Sequence, residues 1–174
     1  GPGLNNSVHA IAVNGSDVYV GGAFTQTMDF DVSNLNYIAR WNGSAWSAMG
    51  SGFESSVYAI AVLSGTVYAG GSFTNNYLGT NNNLKRIAQW NGSAWVAVGA
   101  GLNNDVNVIV ASGTNLYVGG SFTNVGTGSV SGLNYIARWS GTAWSAMGSG
   151  LNDRVYAISV VGTDVYAGGE FTGV

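Results

Sequence analysis

The chain has 174 residues, of which only 7% are charged, and its net charge is −3. Its only cations are Arg40, Lys85, Arg86, Arg138 and Arg154; they cannot build the basic patch that phosphate binding requires, which excludes nucleic acid as a partner. The absence of cysteine excludes disulfides and thiolate metal sites, and no apolar run approaches the roughly 18 residues of a membrane helix, so no membrane insertion is expected.

Hydrophobic residues make up 46% of the chain, enough for a core. Surface polarity must then come from Asn, Ser, Thr and Gly, a composition that suits an extracellular β-rich protein. Gly1-Pro2-Gly3-Leu4 opens the chain in the register of Gly50-Ser51-Gly52-Phe53, Gly99-Ala100-Gly101-Leu102 and Gly148-Ser149-Gly150-Leu151. It reads as native repeat sequence or as a protease scar that fits. With no initiator Met and no signal peptide, the chain is expected to be a processed segment or a fragment of a longer array, natural or engineered.

Residues 8–13 predict a first strand, A. Its alternation places Val8, Ala10 and Ala12 on one face and His9, Ile11 and Val13 on the other. Both faces are largely apolar, as in a strand covered on both sides, and one is smaller than the other. Such strands suit identical sheets stacked large face on small. Asn14-Gly15-Ser16-Asp17 is a turn. Strand B follows over residues 18–25 and contains Gly21 and Gly22. Paired glycines weaken a strand, so their use here predicts close approach of another group, an aromatic of the neighbouring sheet being the natural one. Residues 26–36 form a long loop. Residues 37–41 predict strand C, ending on Trp41. Asn42-Gly43-Ser44-Ala45 then turns into strand D at residues 46–49, beginning with Trp46. The two tryptophans are placed to meet across the strands.

The whole series returns. Gly21-Gly22 recurs as Gly70-Gly71, Gly119-Gly120 and Gly168-Gly169, a constant step of 49 residues. Trp90 and Trp139 repeat Trp41, and Trp95 and Trp144 repeat Trp46, with the same step. A fixed period of this size marks a repeat architecture. Residues 3–51, 52–100 and 101–149 are whole A-B-C-D repeats, and residues 150–174 supply A and B of a fourth. Period-2 alternation broken by glycine leaves no room for a helix, so the fold class is all-β and antiparallel.

Four short strands, a glycine pair ending the second, an aromatic in the third and Trp opening the fourth resemble the kelch repeat, of the galactose-oxidase-like type found in bacterial secreted proteins. The resemblance covers the whole chain. It implies a β-propeller with repeats as blades, about three and a half of them here, and a role in binding or scaffolding more than in catalysis. Trp41 stands where the family usually has Tyr, and Asn42-Gly43 where it often has Asp-Pro.

Little in the chain can do chemistry. His9 is the only histidine, and Tyr58, Asn107 and Tyr156 replace it in the other repeats, so it reads as a strand position. No triad, copper site or arginine cluster can be assembled, and neither an enzyme nor a cofactor is expected. Asp29 and Asp31 alternate like the start of a calcium loop, but Asn34 and Arg40 stand where its glycine and bidentate glutamate belong. They are the only metal candidates, against a polar loop. The Asn-x-Ser sequons are explained by turn chemistry, and the recurrent aromatics by identical blade interfaces more readily than by sugar platforms.

Three and a half repeats are too few to close a typical ring. The expectation is therefore a non-catalytic extracellular scaffold or adhesion module that self-associates, most simply as a head-to-tail homodimer, or that docks on the remainder of a longer propeller. A lectin-like module binding glycan, and a piece of a propeller enzyme whose active residues lie elsewhere, are the alternatives. A protein ligand is equally compatible with a scaffold.

Overall fold

The structure, a computed structural model, describes residues 2–80, 83–128 and 130–174. Gly1 of the opening Gly1-Pro2-Gly3-Leu4 copy, positions 81 and 82 of the second long loop and position 129 of the third lie outside the described residues. Among the described residues there are strands and turns but no helix.

The first sheet comprises β1 (Val8–Asn14), β2 (Asp17–Gly22), β3 (Ile38–Trp41) and β4 (Trp46–Ala48). The second comprises β5 (Val57–Leu63), β6 (Thr66–Gly71), β7 (Ile87–Trp90) and β8 (Trp95–Ala97). The third comprises β9 (Val106–Ser112), β10 (Asn115–Gly120), β11 (Ile136–Trp139) and β12 (Trp144–Ala146). Two strands, β13 (Val155–Val161) and β14 (Asp164–Gly169), form a last hairpin. Every sheet is an antiparallel meander in chain order. Two-residue turns make the first hairpin of each sheet, with Gly15 at φ 61° and the Ser64–Gly65 pair at φ 51° and 81°, as such turns require. The tight turn between the third and fourth strands is held by Asn42 Oδ1, which accepts from the Ser44 and Ala45 amides at 3.0 and 2.9 Å.

Successive sheets stack through their first strands, β1 on β5, β5 on β9 and β9 on β13. This is the arrangement of propeller blades, and the fold is an all-β propeller array of three four-stranded blades and one half blade. The core lies in the seams between blades, not within a single sheet. One seam joins Ala10, Ala12, Tyr19, Ile38 and Met49 of the first blade to Val57, Ile60, Ala69 and Trp95 of the second. The next repeats it with Ala59, Ala61, Tyr68, Ile87 and Val98 against Val106, Ile109, Leu116 and Trp144.

Three details depart from the sequence reading. A β-bulge at the start of each first strand shifts the register between Val8 and Ala10 and between Val57 and Ala59. Val57 therefore shares a face with Ile60, and both press on Gly21 of the blade before. By the same bulge Val8 belongs with Ile11 and Val13, not with the alanines. Strand B ends at the glycine pair rather than at residue 25. Strand C begins one residue later than its alternation suggests, because Asn36 and Tyr37 are both left-handed, φ 46° and 73°. Lys85–Arg86 and Asn134–Tyr135 repeat that pair with nearly the same angles.

Candidate functional site

The glycine pairs sit where two crowded contacts meet. A Cβ on Gly21 would stand 2.4 Å from Val57 Cγ1 of the next blade. One on Gly22 would stand 2.1 Å from the Ser7 carbonyl oxygen of its own blade. Gly70 and Gly71 repeat this against Val106 and the Ser56 carbonyl, and Gly119 and Gly120 against Val155 and the Asp105 carbonyl. The group that the first glycine admits is thus a valine, not the aromatic expected from sequence, and the second glycine admits main chain. Gly169 meets the Arg154 carbonyl in the same way, but Gly168 has only Ala157 Cβ near it, at 3.9 Å.

The tryptophans work in pairs. Trp41 pairs directly with Trp46 across the ladder, rings 5.2 Å apart and tilted; Trp90–Trp95 and Trp139–Trp144 are alike at 5.4 and 5.1 Å. The second of each pair also clips its blade to what precedes it. Trp95 Nε1 donates to Met49 O at 3.0 Å, and Trp144 Nε1 to Val98 O at 3.1 Å. Trp46 Nε1 donates to Pro2 O at 3.0 Å. The Trp95 and Trp144 rings face the seams between blades, where burial and a hydrogen bond both fix them.

A further repeated position went unnoticed in the sequence although it keeps the same step. Asn5 Oδ1 accepts from the Thr25 amide at 2.9 Å, Asn103 Oδ1 from Thr123 and Asn152 Oδ1 from Thr172, each at 2.9 Å. In the second blade Glu54 takes the role with both carboxylate oxygens, holding the Thr74 amide at 2.6 Å and the Asn75 amide at 2.7 Å. This latch ties the start of each repeat to the segment beyond its glycine pair. It also occupies Asn5, the first residue of a formal sequon.

Asp29 and Asp31 lie on the first long loop. Asp29 Oδ1 accepts from the Asp31 amide at 3.3 Å across Phe30, which is left-handed, and a hydrogen bond from the Thr27 hydroxyl holds the Asp29 carboxyl below the usual range. Among the described residues no three His, Cys, Asp or Glu side chains come together in a group. His9 meets Tyr58 of the next blade edge to face, ring centres 5.7 Å apart. Arg40 pairs with Asp17 across the first blade at 2.9 Å.

What the array leaves open is its two ends. On the leading face of the first blade Ile11 and Val13 are each 63% exposed, whereas Ile60, the counterpart of Ile11 in the second blade, is 8% exposed. Ile11, Val18, Val20, Trp41 and Trp46 line a shallow hollow of about 240 Å³ there. On the trailing face of the half blade Tyr166 is 58% exposed, while its counterparts Tyr19 and Tyr68 are buried. Between the third blade and the half blade run two adjoining hollows of about 460 and 260 Å³ that share Met147 and Val165.

No protein-family model matches this chain, and no curated protein matches it. Among solved structures it is similar to the computationally designed Ika4 protein, with a TM-score of 0.64 over 99% of this chain and 90% of that one, at 13% identity. The computationally designed Ika8 protein aligns with a TM-score of 0.44 (13% identity, 93% and 68% coverage), and the WD40 beta propeller domain of Doa1 with 0.49 (14% identity, 91% and 60% coverage). The likeness to Ika4 concerns the fold alone.

Proposed function

We propose that the chain is a non-catalytic, kelch-like propeller module, secreted or displayed on a cell surface, that serves as an interaction scaffold and joins head to tail with a second copy. One observation carries the assembly. The exposed leading face of the first blade repeats the surface that the second and third blades bury against their predecessors. The trailing face of the half blade repeats the first- and second-strand part of the surface they are buried against, with Ala157 and Tyr166 in the places of Ala10 and Tyr19. The chain therefore builds this seam internally and displays its leading half at one end and the first two strands of its trailing half at the other. Apolar surface of this kind is drawn out of water when its complement is supplied. The scaffold role rests on the same economy of chemistry: the one histidine is spent on a blade contact, and the acidic pair on a loop turn.

Sedimentation velocity over a dilution series tests the assembly. The wild-type chain should move from monomer to dimer as concentration rises. Ile11→Asp places a charge at the centre of the leading face and should weaken the dimer at least about tenfold, since an unpaired charge is costly to bury. A wild-type chain that stays monomeric throughout would refute the proposal. A second reading, a glycan-binding module, draws on the exposed Phe30 and Tyr77 of the first two long loops, because sugar platforms need such rings; a glycan array tests it.

A further inference from the structure

The seam between the second and third blades departs from the one before it at a single spot. Thr74, Lys85, Arg86, Leu102, Asn103 and Gly126 line a hollow of about 220 Å³ there. One repeat earlier, the places of the last five are held by Asn36, Tyr37, Phe53, Glu54 and Tyr77. A leucine for a phenylalanine and a glycine for a tyrosine open room. An amide for a carboxylate and two cations for neutral side chains reverse the sign of the charge. Asn134 and Tyr135, which repeat Lys85 and Arg86 in the third blade, carry no charge either, so the cations belong to this one seam.

The place is also built with care. Main-chain bonds fix the left-handed pair from both sides: Arg86 N donates to Phe73 O at 2.8 Å, and Lys85 O accepts from Leu102 N at 2.9 Å. The half-buried Lys85 side chain crosses Gly126, where a Cβ would stand 2.4 Å from Lys85 Cδ. Glycine is thus what admits the lysine, and Lys85 Nζ donates to Gly126 O at 3.0 Å. The carboxylates nearby are already occupied. Asp105 Oδ1 accepts from Arg86 Nη1 at 2.9 Å, and Glu54 is held by the Thr74 amide and hydroxyl and by the Asn75 amide. Among the described residues no carboxylate stands within ion-pair distance of Lys85. Its hydrogen bond goes to a neutral carbonyl, and an ammonium has three donors to place.

We infer that this hollow is a binding site for a small carboxylate, free or borne on a sugar, with Lys85 as its cation. The carboxylate accepts from Lys85 Nζ, and Leu102 offers an apolar wall to the body of the ligand. A charge-assisted hydrogen bond is stronger in such a half-covered place than in open water. Arg86 is a positioning residue: it holds Asp105 and so keeps that carboxylate from neutralising the lysine. The balance of charge selects the ligand. One uncompensated cation matches one negative charge, whereas the second charge of a phosphate would face Asp105 and Glu54 without a partner. The volume selects a short acid or a single sugar ring, since larger ligands need upwards of about 300 Å³. The site shares no residue with the head-to-tail seam and does not depend on it.

Titrating the ¹⁵N-labelled full chain with propionate, glucuronate, glucose and inorganic phosphate, at constant ionic strength, tests the site. Propionate or glucuronate should move the amide signals of Leu102, Asn103 and Gly126 saturably, with a Kd of about 1 mM or tighter. The melting temperature should rise with the same ligand. Glucuronate binding about tenfold tighter than propionate supports an acid borne on a sugar, and equal binding supports a free acid; glucose should move nothing. Lys85→Asn installs the residue of the other two blades, one that tolerates a left-handed backbone. It should weaken binding at least about tenfold without lowering the melting temperature, while Lys85→Arg, which keeps the charge, should stay within about tenfold of wild type. Leu102→Phe fills the hollow with the first seam's side chain, keeps the cation and should also weaken binding, so the test stands if one variant does not fold. No saturable shift in the wild-type chain, unchanged binding in Lys85→Asn, or tighter binding of phosphate than of either carboxylate would overturn the inference.

Discussion

A methyl group on Gly70 would stand 2.4 Å from Val106 Cγ1, one on Gly71 would stand 2.1 Å from the Ser56 carbonyl oxygen, and one on Gly168 would find nothing nearer than 3.9 Å. The three sites share a sequence motif and differ only in surroundings, which makes them a controlled series. Gly70→Ala should cost about 1–3 kcal/mol, because a neighbouring side chain must shift. Gly71→Ala should cost about 3 kcal/mol or more, because main chain cannot move aside without unpairing the strand. Gly168→Ala should lie within about 0.5 kcal/mol of wild type in the monomer. Urea melts at dilutions where the chain is monomeric give all three; equal losses would mean that crowding is not the cause. Two phenols add a pH dependence. Burial, with the Asp17 carboxylate beside it and Arg40 opposing, raises Tyr19 above its ordinary 10.0, and burial raises Tyr68. The unfolded chain then loses these protons first as pH rises. Stability is complete below the unfolded value and falls as pH climbs through the folded ones. Urea midpoints should drop between about pH 9 and about pH 11, and less so in a Tyr19→Phe, Tyr68→Phe chain; an identical drop in that chain would assign the effect elsewhere.

At the scale of the element, the latch and the left-handed pair decide how each repeat begins and ends. Glu54→Ala leaves the amides of Thr74 and Asn75 without the carboxylate that holds them and should destabilise by about 1–3 kcal/mol. Glu54→Asn installs the residue of the other three copies and should restore most of that; thermal melts that rank the two variants the other way would remove the latch from the account. The left-handed pair costs about 1–2 kcal/mol at each non-glycine residue. It persists because three main-chain hydrogen bonds hold it: Tyr37 O accepts from Gly22, Tyr37 N donates to Phe24 O, and Asn36 O accepts from Phe53 of the next repeat. These details mark where sequence reading stops. The strands, their order and the glycine and tryptophan pairs were legible, because period-2 alternation and a constant step leave one arrangement of them. The bulge was not, since Val8 among alanines looks the same on either face. The left-handed pair was not, because Asn36-Tyr37 and Lys85-Arg86 carry no glycine to announce it. The latch was visible as a repeated Asn, but Glu54 breaks the identity while keeping the acceptor.

At the scale of the whole molecule, stability is shared between blades and their nearest neighbours, so the ends are where the chain is least complete and most available. The candidate site was legible only in outline. A half repeat and complementary strand faces pointed to open ends, while the side chains beside the half blade could be named only once Met147 was seen half-covered and Met49 and Val98 covered. The two ends also differ in kind. The leading face presents Val8, Ile11, Val13 and Trp46; the trailing face presents Ala157, Ser159, Tyr166 and the space beside Gly168. Bulk meets bulk if two leading faces are brought together, and hollow meets hollow if two trailing faces are, so neither end is a match for itself. Association through them has a direction, and the contact is heterologous, not two-fold symmetric. Affinity between the ends then sets how readily copies join, whereas the angle between successive blades sets how many join before the last meets the first. An Ile11→Asp copy, with its trailing face intact, can still receive a neighbour but cannot be received by one, and in a mixture it acts as a chain terminator.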